Sequence, residues 1–244
     1  MLIEPFSHCH HCGHPLTRGE FPRTCTNTDH CKHAQYHNPT PIGVMLQTVT
    51  DGDRVGIVTP TRNHEPRPFW RNLLGGYQEA SDTSAENAGN REGNEEVQVP
   101  MVDEDMLLPL GSRACGPLTP VGKRQILYFS VNPNPLHTSF FDNFEPDAET
   151  LRINFSWEPE ILAFPTHTWA LARYFQLYQQ MEVPAQYLKQ PRTGEIISIN
   201  GEQRVIYNVP YAQPQLDCDQ WAVELEEGGA PVYLLWCGDH WEAV

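Results

Sequence analysis

The chain has 244 residues, with 31 Asp and Glu against 16 Lys and Arg and a formal net charge of −15. That length can bury a sizeable core, as one domain with appendages or as two small domains, and the charge argues against non-specific nucleic-acid binding, which needs a basic face to release counterions. No apolar run approaches a membrane span, and the N-terminal MLIEPFSHCH lacks the basic and apolar regions of a signal peptide, so a soluble, cytoplasmic protein without a membrane partner is expected.

Four of the seven cysteines fall within the first 31 residues, a clustering that in a reducing compartment points to metal rather than disulfides. Cys9-x2-Cys12 and Cys25-x5-Cys31 supply two thiol knuckles, which suits a tetrahedral, closed, structural zinc site with no position left for water. Seven histidines (8, 10, 11, 14, 30, 33 and 37) lie in the same region, and one of them could replace a cysteine. Residues 1–37, polar and without apolar periodicity, need such a staple and read as a zinc ribbon. Cys115, Cys218 and Cys237 are scattered and read as ordinary thiols.

Two strands, 38–49 and 54–61, are expected around the turn Asp51-Gly52-Asp53. After the proline-punctuated NHEPRPFW, Thr83-Ser84-Ala85-Glu86 has the form of a capping box and predicts a helix from about Ser84 to Val97, closed off by Pro100. A strand over 122–132, a loop over 133–150 and an amphipathic helix over 166–181, with Trp169, Ala172 and Phe175 inward, follow. Beyond Pro184 the texture changes: Asn200-Gly201 between two apolar runs signals a hairpin, and 231–238 reads as one more strand. The expected organisation is therefore a ribbon (1–37), a central domain (38–184) and a small β-rich C-terminal unit (185–244).

The chemistry concentrates in GGYQEASDTSAENAGNREGNEEVQV, residues 75–99. At about 100° per helical residue, Glu92, Glu95 and Glu96 share roughly a 100° arc. Adjacent carboxylates repel unless a cation sits over them, and hard oxygen ligands select Mg2+ or Mn2+; a solvated acidic face is the alternative. Gly75 and Gly76 would let backbone approach a metal or phosphate closely. Trp70, Tyr77 and Phe69 could stack a base or belong to the core, and Lys123 and Arg124 could contact phosphate or simply be solvated. His167, opening the second helix, could lie near the site.

This stretch resembles the Nudix box, G-x5-E-x7-R-E-U-x-E-E-x-G-U, with Gly76, Arg91, Glu92, Glu95 and Glu96 on its positions. It departs in three places. The loop carries one extra residue, so the loop acid falls on Asp82 counted from Gly76 and on Thr83 counted back from Arg91; Gly93 occupies the apolar position; and Gln98 stands where the late glycine belongs. The four cysteines and Tyr36-His37-Asn38-Pro39 resemble the N-terminal layout of zinc-ribbon Nudix proteins such as the NADH pyrophosphatases, without their SQPWPFPxS tract. The resemblance implies an α/β/α sandwich with a mixed sheet and a catalytic Mg2+ or Mn2+ on Glu92, Glu95, Glu96 and Gly76. Glu95 or Glu96 would take the proton of the attacking water. Arg91 would be a structural partner of a box carboxylate or of Glu79, and Asp82 or Glu79 would serve as loop acid. The activity implied is metal-dependent hydrolysis of a nucleoside diphosphate derivative: ADP-ribose, NAD(H) or a related dinucleotide. The alternative is a nucleotide-binding sensor or ribbon adaptor without turnover; action on RNA 5′ ends is a weaker third reading, which the acidic charge disfavours. A homodimer is compatible with each.

Overall fold

The computed structural model describes residues 7–9, 11–18, 23–35, 40–65, 67–115, 125–189, 191, 194–207, 220–226, 229–236 and 241–243. The expectations on residues 36–39, Lys123, Arg124, Cys218 and Cys237 fall outside them. Two units are distinguished: Met1–Thr40 with Pro117–Gln125, and Pro41–Gly116 with Ile126–Val244.

In the first unit, β1 (Arg23–Thr24) pairs antiparallel with β2 (Ala34–Gln35). Two residues per strand cannot carry a fold. The buried cluster here consists of Cys9, Cys25 and Cys31 around Leu16, with Cys12 at its edge. The thiols are the core.

In the second unit the long strand β3 (Thr40–Thr50) is the axis of a mixed sheet. The turn at Asp51–Asp53, with Gly52 at φ 102°, returns the chain as β4 (Val55–Val58), paired to the C-terminal half of β3. Pro60 ends that strand, and β5 (Thr61–Arg62) follows in a separate two-stranded ribbon, so the single strand expected over 54–61 is broken. The chain re-enters the main sheet as β6 (Leu74–Tyr77), paired to the N-terminal half of β3 with Gly76 opposite Gly43 and Gly75 opposite Val44. Helix α1 (Ala85–Val97) comes next, then β7 (Leu108–Cys115), β8 (Gln125–His137), β9 (Thr150–Arg152) and β10 (Phe155–Ser156). The sheet order is β10-β4-β3-β8-β7, and β9 pairs with β5. β8 runs five residues into the stretch expected to be loop. Its prolines are accommodated because side-chain amides serve this end: Gln47 Nε2 donates to the Asn134 carbonyl (3.1 Å) and Asn134 N–H donates to Asn132 Oδ1 (3.1 Å).

Helix α2 (Pro165–Tyr178) packs Trp169, Leu171 and Phe175 with Val44, Leu46, Leu73 and Phe129. Met45, Leu74 and Val97 of α1 belong to a second cluster. Since side chains alternate along β3, the two helices cover opposite faces, giving the expected α/β/α arrangement. The α1 contact is made with almost no side chain. A Cβ on Gly43 would overlap the Ala85 carbonyl, one on Gly89 would stand 3.2 Å from Val44 and Met45 backbone, and one on Gly93 would overlap the Met45 side chain. Small residues at helical spacing let the helix lie directly on the strands, and the Met45 side chain takes the space that an apolar residue at 93 would fill.

After the short helix α3 (Ala185–Leu188), β11 (Ile196–Ile199) and β12 (Glu202–Val205) form the expected hairpin, with Asn200 at φ 52° and Gly201 at φ 82°. Strands β13 (Gln220–Val223), β14 (Val232–Trp236) and β15 (Trp241–Ala243) form a three-stranded sheet. Ile197, Ile206, Val223, Leu234 and Trp241 make a buried cluster of their own. No helix among the described residues is long and apolar enough to cross a membrane.

Candidate metal and active site

Helix α1 starts one residue later than a box capped by Thr83 requires. Ser84 is the N-cap, its Oγ accepting from Asn87 N–H (2.9 Å). Glu86 does not close the box; Glu104, beyond the helix, accepts from both Thr83 Oγ1 and Ser84 Oγ. The helix ends at Gln98, left-handed at φ 60° and ψ 24°, whose N–H donates to the Asn94 and Gly93 carbonyls. The residue at the late-glycine position thus adopts the conformation for which glycine is ordinarily chosen.

Along α1 the three glutamates meet different surroundings. Glu92 lies against β6, where a Cβ on Gly76 would overlap its carboxylate. Glu96 is buried and its Oε1 accepts from Gly75 N–H (3.3 Å). Glu95 points outward, 56% exposed, and accepts from Arg91 Nη1 (2.8 Å). Arg91 is the hub of the loop. Its Nε and Nη2 donate to the two oxygens of Asp82 (3.1 and 3.2 Å), its Nη1 lies 3.0 Å from Glu92 Oε1, and its Nη2 also donates to the Tyr77 carbonyl (3.0 Å). Asp82, its side chain 2% exposed, accepts from Glu79 N–H as well (2.7 Å). Glu79 is exposed and enters this arrangement through its backbone. The extra loop residue is therefore absorbed before the helix, where an aspartate closes the turn onto Arg91.

These surroundings set the charges. The Arg91 fork holds the Asp82 carboxyl below its usual range. Burial pushes Glu96 up to about 8; the carboxylates of Glu92 and Glu149 add to this, against the Gly75 N–H and the Arg62 guanidinium. Glu92 is raised too, chiefly by burial, with Glu95 and Glu149 outweighed in part by Arg91. Arg62 and Glu149 were not found from the sequence. They come together because β5 pairs with β9, Arg62 opposite Thr150, while Asn63 N–H donates to the Glu149 carbonyl (2.8 Å). No local pattern announces such a pairing across more than 80 residues. His167 is buried; its Nδ1 accepts from Leu73 N–H (3.1 Å), and burial lowers it to about 3, so it stays neutral and packs against the rings of Phe129 and Phe164. Trp70 is partly buried under the Arg67 guanidinium, 5.5 Å from its ring centre, and Tyr77 is 51% exposed.

In the N-terminal unit, Cys9 and Cys31 sulfurs are 3.8 Å apart and those of Cys12 and Cys25 3.4 Å apart, with all four within 4.8 Å of one another. Metal–sulfur bonds of about 2.3 Å in a tetrahedron set the sulfurs roughly 3.8 Å apart, so the set fits one ion. Among the described residues this is the group of three or more metal-ligating side chains near enough to share an ion. The box glutamates are not so gathered: Glu92 and Glu95 both meet Arg91 Nη1, while Glu96 turns to the Gly75 N–H.

No protein-family model matches the chain, and no curated protein matches it at a significant level. Solved structures that the chain partly matches include a Nudix hydrolase from Nitrosomonas europaea (18% identity, 72% of this chain and 94% of that one, TM-score 0.48). Others are NrtR from Shewanella oneidensis (14%, 63% and 72%, TM-score 0.43) and a MutT Nudix hydrolase from Burkholderia pseudomallei (16%, 56% and 98%, TM-score 0.40). What the described residues themselves show is a mixed sheet with two helices packed on it and, in the N-terminal unit, a cysteine cluster. At these identities and TM-scores the chemistry has to be read from the site itself.

Proposed function

We propose that the protein is a metal-dependent pyrophosphohydrolase of a nucleoside diphosphate derivative, ADP-ribose, NAD(H) or a related dinucleotide, with α1 as its catalytic helix. The observation that carries this reading is Glu96: a carboxylate buried on the helix face, fixed by Gly75 N–H, with the carboxylates of Glu92 and Glu149 crowding it. Buried like charges are costly unless compensated, and a hard divalent cation is the compensation such oxygen donors fit. Glu92, Glu95 and Glu96, beside Gly76, would hold Mg2+ or Mn2+. When bound, the cation would neutralise the diphosphate and lower the pKa of water. The residues themselves do the rest. Gly75 N–H orients Glu96; Arg91, locked by Asp82, fixes the loop against the helix; and Glu96, the better shielded of the two candidates, accepts the proton of the attacking water, with Glu95 as the other. The four thiols would hold a structural zinc.

A second reading, nucleotide binding without turnover, is favoured by the hold of Arg91 on Glu95. Incubating the protein with ADP-ribose, NADH and diadenosine polyphosphates in Mg2+ or Mn2+ and separating products by chromatography distinguishes the two. Metal-dependent release of a nucleoside monophosphate is expected. Tight binding of one of these compounds with no product from any would leave the second reading.

A further inference from the structure

Residues 62–65 and 67–70 belong to a strap that leaves β5 at Arg62 and returns at Trp70. Its neck is a β-bulge: Arg62 N–H donates to the Trp70 carbonyl (2.9 Å), while the Arg62 carbonyl accepts from Phe69 N–H (2.8 Å), so two residues oppose one. In the form of bulge whose first residue is left-handed, that residue is ordinarily glycine. Here it is Phe69, at φ 69°, and Arg67 two positions earlier is left-handed as well, at φ 65°. An L side chain is disfavoured in this region, most of all a bulky one. Packing offsets little of that, since Phe69 is 72% exposed, the most exposed large apolar side chain among the described residues.

Backbone outliers of this kind gather at ligand sites, where bulges re-aim a side chain. The neighbourhood agrees. Arg62, the neck residue, is the cation whose field reaches Glu96, and the next residue, Asn63, is hydrogen-bonded to Glu149. Of the other two aromatics, Trp70 lies under Arg67 and supports the strap, and Tyr77 is less exposed than Phe69, at 51%.

We propose that Phe69 is a substrate-contacting residue whose exposed ring, displayed on one edge of the 62–63 segment whose other edge is bonded to Glu149, stacks on the base of a nucleoside diphosphate. A flat, sequence-tolerant π-face suits any base, so the site would select for the presence of a base more than for its identity. This proposal rests on the pyrophosphohydrolase reading, and the test separates the two. Titration calorimetry in Mg2+ compares ADP with inorganic pyrophosphate, which carries the same diphosphate without a base. For Phe69→Ala and Phe69→Gly, ADP binding is expected to weaken about tenfold, with pyrophosphate binding unchanged and a melting temperature no lower than that of the native protein; Phe69→Tyr is expected to retain ADP binding. Unchanged ADP binding in the Ala and Gly variants, or equal weakening for both ligands, overturns the role of Phe69 and leaves the hydrolase reading standing. If the native protein binds neither ligand, both fall together.

Discussion

In the N-terminal unit four thiols stand within 4.8 Å of one another, three of them buried; on α1 one carboxylate, Glu96, is held by the backbone of β6, and the other two, Glu92 and Glu95, share the Arg91 guanidinium. The first arrangement fits the coordination shell of a tetrahedral ion, which would leave no position for a reactant. The second gathers its donors less tightly, and a cation held there would complete its shell with water and substrate. Donor chemistry follows the same division, soft sulfur for a permanent ion and hard oxygen for an exchangeable one. On the proposed reading, how completely the ligands are gathered separates the structural ion from the catalytic one.

The largest effect expected from this contrast is on the thiol cluster. Zinc contributes roughly 10–16 kcal/mol in small sites of this kind, so a strong chelator, or Cys25→Ser, should remove the metal and unfold residues 7–35. Native mass spectrometry and hydrogen exchange would show one zinc lost and protection gone there, while protection over 41–115 persists. Zinc retained by Cys25→Ser would mean that a histidine has taken the position. On the helix, Glu96→Gln should lower kcat by about 10²–10⁴-fold with folding intact, and the exposed Glu95→Gln by less, as steady-state assays in Mg2+ would show.

The pH dependence of stability tests the same carboxylate. Because the folded pKa of Glu96 lies near 8, above its value of 4.5 without the fold, its contribution is present below pH 4.5 and is lost as pH rises toward 8. In metal-free protein that loss amounts to a few kcal/mol, on the order of 1.4 per unit, and Glu96→Gln should flatten it in urea denaturation at pH 5 and 8. His167, with its pKa lowered to about 3, acts in the other direction, losing stability as pH falls below 6.5, and is the same in both proteins.

Two glycines sharpen the comparison further. Gly43→Ala drives a Cβ into the backbone of α1 and should cost about 1–3 kcal/mol in thermal or urea unfolding. Gly76→Ala meets only the flexible carboxyl end of Glu92, so it should change stability by less than about 1 kcal/mol while weakening Mg2+ binding in calorimetric titration. The smallest effect is at Gln98, where glycine relieves a left-handed backbone. Gln98→Gly should raise stability by about 0.5 kcal/mol, the relief being partly offset by glycine's unfolded-state entropy.

Much of this was legible in the sequence because its determinants are local. Asn200-Gly201 announces its hairpin, the Thr83-Ser84-Ala85-Glu86 run its helix to within one residue (the cap is Ser84, not Thr83), and the spacing of Cys9, Cys12, Cys25 and Cys31 their convergence. What was hidden depends on distant pairing. β7 and β9 lack a strand-like pattern of their own, and Arg62 and Glu149 join the glutamate neighbourhood only once β5 and β9 meet. Gly93 looked like a defect in the box until the close approach of α1 to Met45 supplied its reason.

The central claim is that the buried face of α1 is a divalent-cation site closed by Glu96, and proton release on metal binding tests it most directly. With a pKa near 8, metal-free Glu96 is mostly protonated at pH 7, and ligation must expel that proton. Titrating Mg2+ or Mn2+ at pH 7 in buffers of different ionisation enthalpy should show release of about one proton per ion by the native protein and almost none by Glu96→Gln. Metal binding without proton release, or the same release from both proteins, would contradict the assignment.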